Sequence, residues 1–172
     1  AAAERVVSLI EEPEEILDTP DVLMKFGDID NPKRENWPAM RGDIEFDHVS
    51  FSYVDGESVL DDFSLKVRAG ETIALVGETG AGKSTIVNLL CRFYEPTKGT
   101  IRIDGKDYRK YSQLWLQSHL GYVLQSPHLF SGTIMENIRY GKLEATDEEV
   151  YAAAKQVNAD NFIRKMQNGY DT

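Results

Sequence analysis

The 172 residues contain one cysteine, Cys91. No disulfide can form within the chain, and a reducing compartment fits. Its apolar neighbours mark Cys91 as a small buried hydrophobe rather than a reactive thiol. Long apolar runs are missing too. None approaches the roughly 20 residues that cross a bilayer, and no signal peptide is visible. Basic charge is scarce: 19 Lys and Arg stand against 29 Asp and Glu, a net charge of −10. That argues against a general nucleic-acid binder. Histidine occurs only at His48, His119 and His128. No two of these have metal-ligand spacing with other ligands, so no metal or catalytic role is assigned to them. There is no internal repeat, and the first residue is Ala1 rather than Met, which reads as an excised piece.

The 41% of apolar residues predicts a globular chain with a real core. The acidic surplus is uneven: residues 1–43 hold 5 basic and 11 acidic side chains. The opening 1–12 has apolar residues at helical spacing and stops at Pro13. Residues 13–42 carry Pro13, Pro20, Pro32 and Pro38 among many acids, and read as an extended acidic linker.

Next, Val49, Phe51 and Tyr53 alternate as on a half-buried strand. Ile44 and Phe46 sit in the opposite register, which predicts a bulge near Asp47 and His48. Phe63, Leu65 and Val67 suggest an antiparallel partner. The run "TIALVG" at 72–77 is almost continuously apolar, as in a strand buried on both faces of a parallel sheet. Ile86, Leu89, Leu90 and Phe93 then mark one helix face, ended by Pro96 and Gly99. A strand in "TIRIDG", a short helix near 112–118 and a strand at 120–125 follow. Asp104 and Asp107 flank a turn and read as solvated. Beyond Gln125 the pattern turns helical. Thr133 can cap a helix through Ile138. Thr146 and Glu149 form a capping box ahead of a face of Val150, Ala153, Ala154 and Val157, and 159–167 reads as another helix.

The chemistry-bearing stretch is "LVGETGAGKSTI" at 75–86. Gly77, Gly82, Lys83 and Ser84 match G-x-x-x-x-G-K-S/T, with an apolar strand pattern before and a helical one after, as this phosphate-cradling loop requires. Gly80 and Gly82 let the backbone turn without Cβ clashes. Amides from about Gly80 to Thr85 can point at phosphate oxygens at the positive end of the helix dipole. Lys83 can reach β- and γ-phosphates, Ser84 offers a hydroxyl to Mg²⁺, and Thr85 is a second hydroxyl nearby. Glu78 reads as solvated. A Gly-rich strand–helix turn that binds nothing is the structural alternative.

Three stretches together carry a family resemblance: "FSYVDGESVLDDFSL", "LVGETGAGKSTIVNLLCRFYEPTKGTIRIDG" and "LGYVLQSPHLFSGTIMENIRYG". Their order and spacing resemble the ATPase domain of ATP-binding cassette (ABC) transporters, above all the exporter type with membrane helices preceding the ATPase on the same chain. The likeness covers about 44–172. It implies an α/β P-loop NTPase (RecA-like) core with an antiparallel β subdomain and part of a helical subdomain, incomplete. The division implied is 1–12 as the end of a helix leading from a membrane domain, 13–42 as linker, and 43–172 as the N-terminal part of the ATPase domain, its helical lobe starting near 126.

The resemblance also implies ATP and Mg²⁺ as cofactors. ATP contacts fall on Tyr53, Gly77, Thr79, Gly80, Ala81, Gly82, Lys83, Ser84 and Thr85. Tyr53 would stack on adenine, although by pattern it could equally be core with Val49 and Phe51. Lys83 and Gln125 carry the catalytic roles, and Ser84 and Gln125 reach Mg²⁺. Read without the resemblance, Gln125 is a loop amide. The segment 126–138 would face coupling helices of the membrane domain through Leu129 and Phe130, whose other reading is packing within the helical lobe.

The family's signature motif, the Mg²⁺-associated Asp, the catalytic Glu and the switch His find no counterpart in the 172 residues. The chain reads as cut within its helical lobe, and is expected alone to bind nucleotide weakly without turnover. In the family, two ATPase domains meet head to tail across the nucleotide. The partner implied is therefore a second such domain, in a homo- or heterodimer at the cytoplasmic face of a membrane, as part of an integral membrane protein. Two other functions remain open: a soluble ABC ATPase of translation or DNA repair, and a nucleotide-binding regulatory module that does not hydrolyse. A GTPase is disfavoured because no N-K-x-D run is present.

Overall fold

The computed structural model describes residues 7, 16–54, 56–78, 80, 82–124, 126 and 128–172. Contacts divide the chain into two units, 1–121 and 122–172.

The first unit is built on an antiparallel sheet in which β1 (Ile44–Ser52) lies between β2 (Ser58–Val67) and β3 (Lys98–Ile103). The short β4 (Lys106–Asp107) flanks β3. Ile44 faces Val67 on one side and Ile103 on the other, so apolar residues of three strands share a face. The register shift expected from the sequence is present between Phe46 and Val49, with His48 at φ 51. This switch lets Phe46, Val49 and Phe51 all be buried despite their mismatched spacing. Gly99, at φ 80, lies against the bulge, and a Cβ there would collide with the carbonyl of His48.

The sheet packs on α2 (Lys83–Leu90) through Ile86 and Leu89, and on α3 (Gln113–Ser118) through Trp115 and Leu116. Ser112 caps α3 by accepting the Trp115 N–H at 3.0 Å. Trp115 stacks on Tyr111 at 4.1 Å, and its indole N–H donates to the Pro38 carbonyl. Phe93 lies beyond the end of α2 and is exposed. Cys91 is buried as expected, and burial raises its thiol pKa.

Three expectations are corrected here. The stretch 13–42 is not simply extended: it contains helix α1 (Pro20–Phe26) and a 3₁₀ turn at Arg34–Asn36. Pro20 occupies the first turn, where its missing N–H has no helical partner to lose. Val22 and Phe26, one turn apart, are buried in the core. The opening 1–12 lies outside the described residues, apart from Val7, which is helical.

Asp104 is not solvated. Its carboxylate accepts the N–H groups of Arg41, Gly42 and Asp43 at 2.8, 3.0 and 3.0 Å. Asp107 likewise accepts the Arg109 N–H and binds its guanidinium.

Finally, 71–78 and 121–124 run as extended chain without strand pairing among the described residues. Val76 is 93% and Val123 96% exposed. A parallel strand needs neighbours far away in sequence on both sides, and an apolar run does not supply them.

The second unit is helical, with α4 (Ile134–Arg139), α5 (Asp147–Gln156) and α6 (Asp160–Ile163). Both predicted N-caps are complete capping boxes, Thr133 with Glu136 and Thr146 with Glu149. The buried face of α5 is narrower than expected. Val150 and Ala154 are buried with Ile163 and Tyr170, whereas Ala153 and Val157 are exposed. The helix expected over 159–167 is regular only for its first turn and then gives way to turns. Asp160 accepts bonds from the Tyr170 hydroxyl at 2.7 Å and from Arg164 at 2.8 Å.

Candidate nucleotide site

The phosphate-type loop leads directly into α2. Gly80 and Gly82 have φ of 86 and 82, a left-handed region that disfavours side chains. Gly82 is the N-cap, and its carbonyl accepts the first helical bond, from Ile86 N–H at 3.0 Å. A Cβ on Gly82 would meet Leu60 Cδ2 at 3.0 Å and the Val59 carbonyl oxygen at 3.3 Å. The loop is thus pressed against β2.

Lys83 turns back over the loop. Its ammonium donates to the carbonyls of Gly77 at 2.7 Å and Glu78 at 2.5 Å. Both partners are neutral dipoles, and two of three N–H donors are engaged. Among the described residues no carboxylate pairs with this cation, which suits an incoming polyanion.

Beside the loop is a cleft of about 480 Å³ lined by Tyr53, Val59, Gly80, Gly82, Lys83, Ser84 and Thr85. Residues 30 positions apart in sequence therefore meet here: an aromatic ring from the end of β1 and the basic and hydroxyl groups of the α2 N-terminus. Ser84 is exposed and Thr85 buried. The Tyr53 ring is 47% exposed, so the core reading of Tyr53 is not what the structure displays. Its hydroxyl lies 3.1 Å from Thr85 Oγ1 and accepts from Asn88 Nδ2 at 3.4 Å. Phe51 and Tyr94 contact its ring perpendicularly, at centroid distances of 4.8 and 5.0 Å.

Of the expected site residues, Tyr53, Gly80, Gly82, Lys83, Ser84 and Thr85 converge on this cleft, and Gly77 binds Lys83 through its carbonyl. Thr79, Ala81 and Gln125 lie outside the described residues. Sequence reasoning missed Val59, Asn88 and Tyr94. Asn88 was legible in principle: it is three residues after Thr85, on the same helix face.

The residues fit a nucleotide triphosphate. A bare-backbone loop, a helix N-terminus and an uncompensated ammonium face one cleft. For Mg²⁺ the chain offers Ser84 among the described residues. No group of three or more His, Cys, Asp or Glu there could hold a metal. Ser84 together with the phosphates would hold a magnesium ion, which keeps several waters. Two of the histidine side chains have partners: His48 pairs with Asp62 at 2.6 Å, which raises its pKa, and His119 Nδ1 donates to the Trp115 carbonyl at 2.7 Å. Leu129 is 86% exposed and Phe130 is also exposed, with Phe130 in ring contact with Tyr140 at 4.4 Å. Among the described residues, no helix is long and apolar enough to cross a membrane.

Comparison with known proteins gives a consistent picture. The ABC transporter family model matches residues 60–171. The chain is 46% identical to an uncharacterized ABC transporter ATP-binding protein of Bacillus subtilis, YfiC, over all of this chain and 26% of the relative. It is 45% identical to a fatty acid ABC transporter ATP-binding/permease protein of Mycobacterium tuberculosis, over all of this chain and 25% of that protein. A solved bacterial Atm1-family ABC exporter with ATP bound superposes with a TM-score of 0.79 at 39% identity, covering 99% of this chain and 28% of the exporter. The chain spans about a quarter of the length of the curated relatives it matches.

Proposed function

The chain belongs to the ABC transporter family, and from that premise we propose that it is the nucleotide-binding part of an exporter-type transporter, coupling MgATP binding and hydrolysis to movement of a substrate across a membrane. The observation that carries this is the convergence of Tyr53 with Gly80, Gly82, Lys83, Ser84 and Thr85 on one cleft. An aromatic platform and a phosphate cradle in one site match the two ends of ATP.

The residue roles follow from chemistry. Tyr53 stacks on the base, an interaction worth about 1–3 kcal/mol where bases stack on protein aromatics. Backbone amides from Gly80 to Thr85, with the motif residues Gly77, Thr79 and Ala81, hold the phosphates at the α2 N-terminus. Lys83 exchanges a loop carbonyl for a phosphate oxygen. Ser84 and Gln125 are the ligands the chain offers to Mg²⁺, and Gln125 orients the attacking water. The metal, when bound, neutralises charge across the β- and γ-phosphates.

The remaining parts of the reading are assigned by family likeness. Residues 1–12 lead from the membrane domain, 13–42 link, and 43–172 belong to the ATPase domain. Residues 126–138 face the coupling helices, with Leu129 and Phe130 as the apolar contacts. A second ATPase domain meets this one head to tail at the cytoplasmic face of the membrane. A polypeptide of these 172 residues alone supplies one side of the shared site. It binds nucleotide weakly and turns none over, since the family's catalytic Glu has no counterpart among these residues.

The test is MgATP binding by the full-length protein before and after Lys83→Ala. Loss of one charge-assisted phosphate contact predicts about a 10- to 100-fold weaker affinity, from about 1.5–3 kcal/mol. Unchanged affinity refutes the assignment.

A further inference from the structure

Tyr53 lies just past β1, in a bend, where an unrestrained aromatic would sample several rotamers. Here it is restrained from three directions. Its hydroxyl reaches two side chains of α2, Thr85 and Asn88, one turn apart on that helix. Its ring is met perpendicularly by Phe51 and by Tyr94, with interplanar angles of 88° and 90°. Phe51 and Tyr94 also contact each other at 5.6 Å. Perpendicular ring contacts are the favoured aromatic geometry, and two of them fix the plane of the third ring.

Asn88 has a definite direction in this set. Its amide can only donate to the phenol oxygen through Nδ2. The anchor is α2, the helix whose first residues are Lys83 and Ser84. One rigid element therefore sets both the phosphate-binding groups and the position of the ring. The distance from base to phosphate in a nucleotide is bounded by its covalent structure, so a ring tied to the phosphate helix keeps the two subsites in register. A platform fixed before binding also reduces the ordering lost on binding.

We infer that Asn88 and Tyr94 are positioning residues for nucleobase recognition, holding the Tyr53 ring as a preset stacking surface. The inference rests on the reading of Tyr53 as the base platform. It predicts an effect confined to ligands that carry a base.

The test compares MgATP with magnesium tripolyphosphate, which lacks base and ribose, on the full-length protein. Asn88→Ala and Tyr94→Leu each weaken MgATP about 3- to 10-fold, as expected for a lost hydrogen bond or its equivalent in packing, and change tripolyphosphate affinity by less than about twofold. Tyr94→Phe keeps the ring and restores MgATP affinity. Combined with Tyr53→Ala, Asn88→Ala has no further effect. If Tyr53→Ala weakens MgATP while Asn88→Ala and Tyr94→Leu do not, the platform reading stands and the positioning inference falls. Equal weakening of both ligands overturns it too, because that marks general damage to the cleft. If Tyr53→Ala itself leaves MgATP binding intact, the platform reading fails first.

Discussion

The two loop glycines offer a matched pair of perturbations. Gly80 and Gly82 have nearly the same φ, 86 and 82, but different surroundings. A Cβ on Gly80 would meet no protein atom within 4 Å, whereas on Gly82 it would press on Leu60 Cδ2 and the Val59 carbonyl. Alanine in the left-handed region is disfavoured by about 1–2 kcal/mol. Loss of glycine's freedom in the unfolded chain returns about 0.4–1 kcal/mol. Gly80→Ala is therefore expected to destabilise by roughly 0–1.6 kcal/mol. Gly82→Ala carries the same backbone term plus overpacking. The Leu60 methyl can rotate away, but the Val59 carbonyl is fixed by its strand. Overpacking of this kind adds about 1–3 kcal/mol. If the loop relieves that strain by shifting, the amides leave their phosphate-binding positions, and about 2 kcal/mol of lost complementarity corresponds to roughly 30-fold in affinity. Titration of the full-length protein with a fluorescent ATP analogue, alongside thermal unfolding of both variants, reads the difference. Identical stability and affinity for the two variants would refute the argument that contact with β2 shapes the loop.

Two further substitutions probe the frame that carries the site. Asp104→Ala strands three backbone N–H groups and is expected to destabilise the first unit by about 2–4 kcal/mol in urea unfolding. Burial pushes the Asp104 carboxyl pKa up, but the amides of Arg41, Asp43 and Gly42 outweigh it and hold the pKa below its usual range. This contribution is therefore complete above the ordinary carboxylate pKa of about 3.9 and fades as pH falls through the lowered value, so the parent and Asp104→Ala curves should converge in strong acid. Arg92, 2% exposed, binds Asp18 at 2.9 Å and Glu95 at 2.8 Å. Arg92→Met should destabilise by about 3–5 kcal/mol, and a loss under about 1 kcal/mol would show that the pair is dispensable.

What could be read from the sequence was local. The bulge at His48 followed from two strand registers that cannot coexist without an extra residue. The cap at Thr133 and the capping box of Thr146 with Glu149 followed from local residue types. The meeting of Tyr53 with the loop did not follow from spacing; it needed the family resemblance, because it depends on how β1 packs against α2. Asp104 was misread for the same reason. Its partners lie some 61 to 63 residues away, in a stretch whose prolines suggested only extension. There Pro20 stands in the first turn of α1, where proline is compatible with a helix start.

The apolar runs at 72–77 and 120–125 sharpen this contrast. The first has the composition of a doubly buried strand and the second that of a strand; neither pairs among the described residues of a chain that spans about a quarter of its relatives' length. β1 pairs with β2 across a short connection and with β3 from far along the chain, Ile44 facing both Val67 and Ile103. A parallel ladder must be brought together by longer crossovers. Lys83 fastens Gly77 and Glu78 to the start of α2, and Gly82 fits only because β2 leaves no room for a side chain. The loop is in contact with the antiparallel sheet at Gly82 and with its own lysine at Gly77 and Glu78. If Lys83 exchanges these carbonyls for phosphate, as proposed, its bonds to Gly77 and Glu78 are given up, which would link ligand binding to the preceding segment through one side chain.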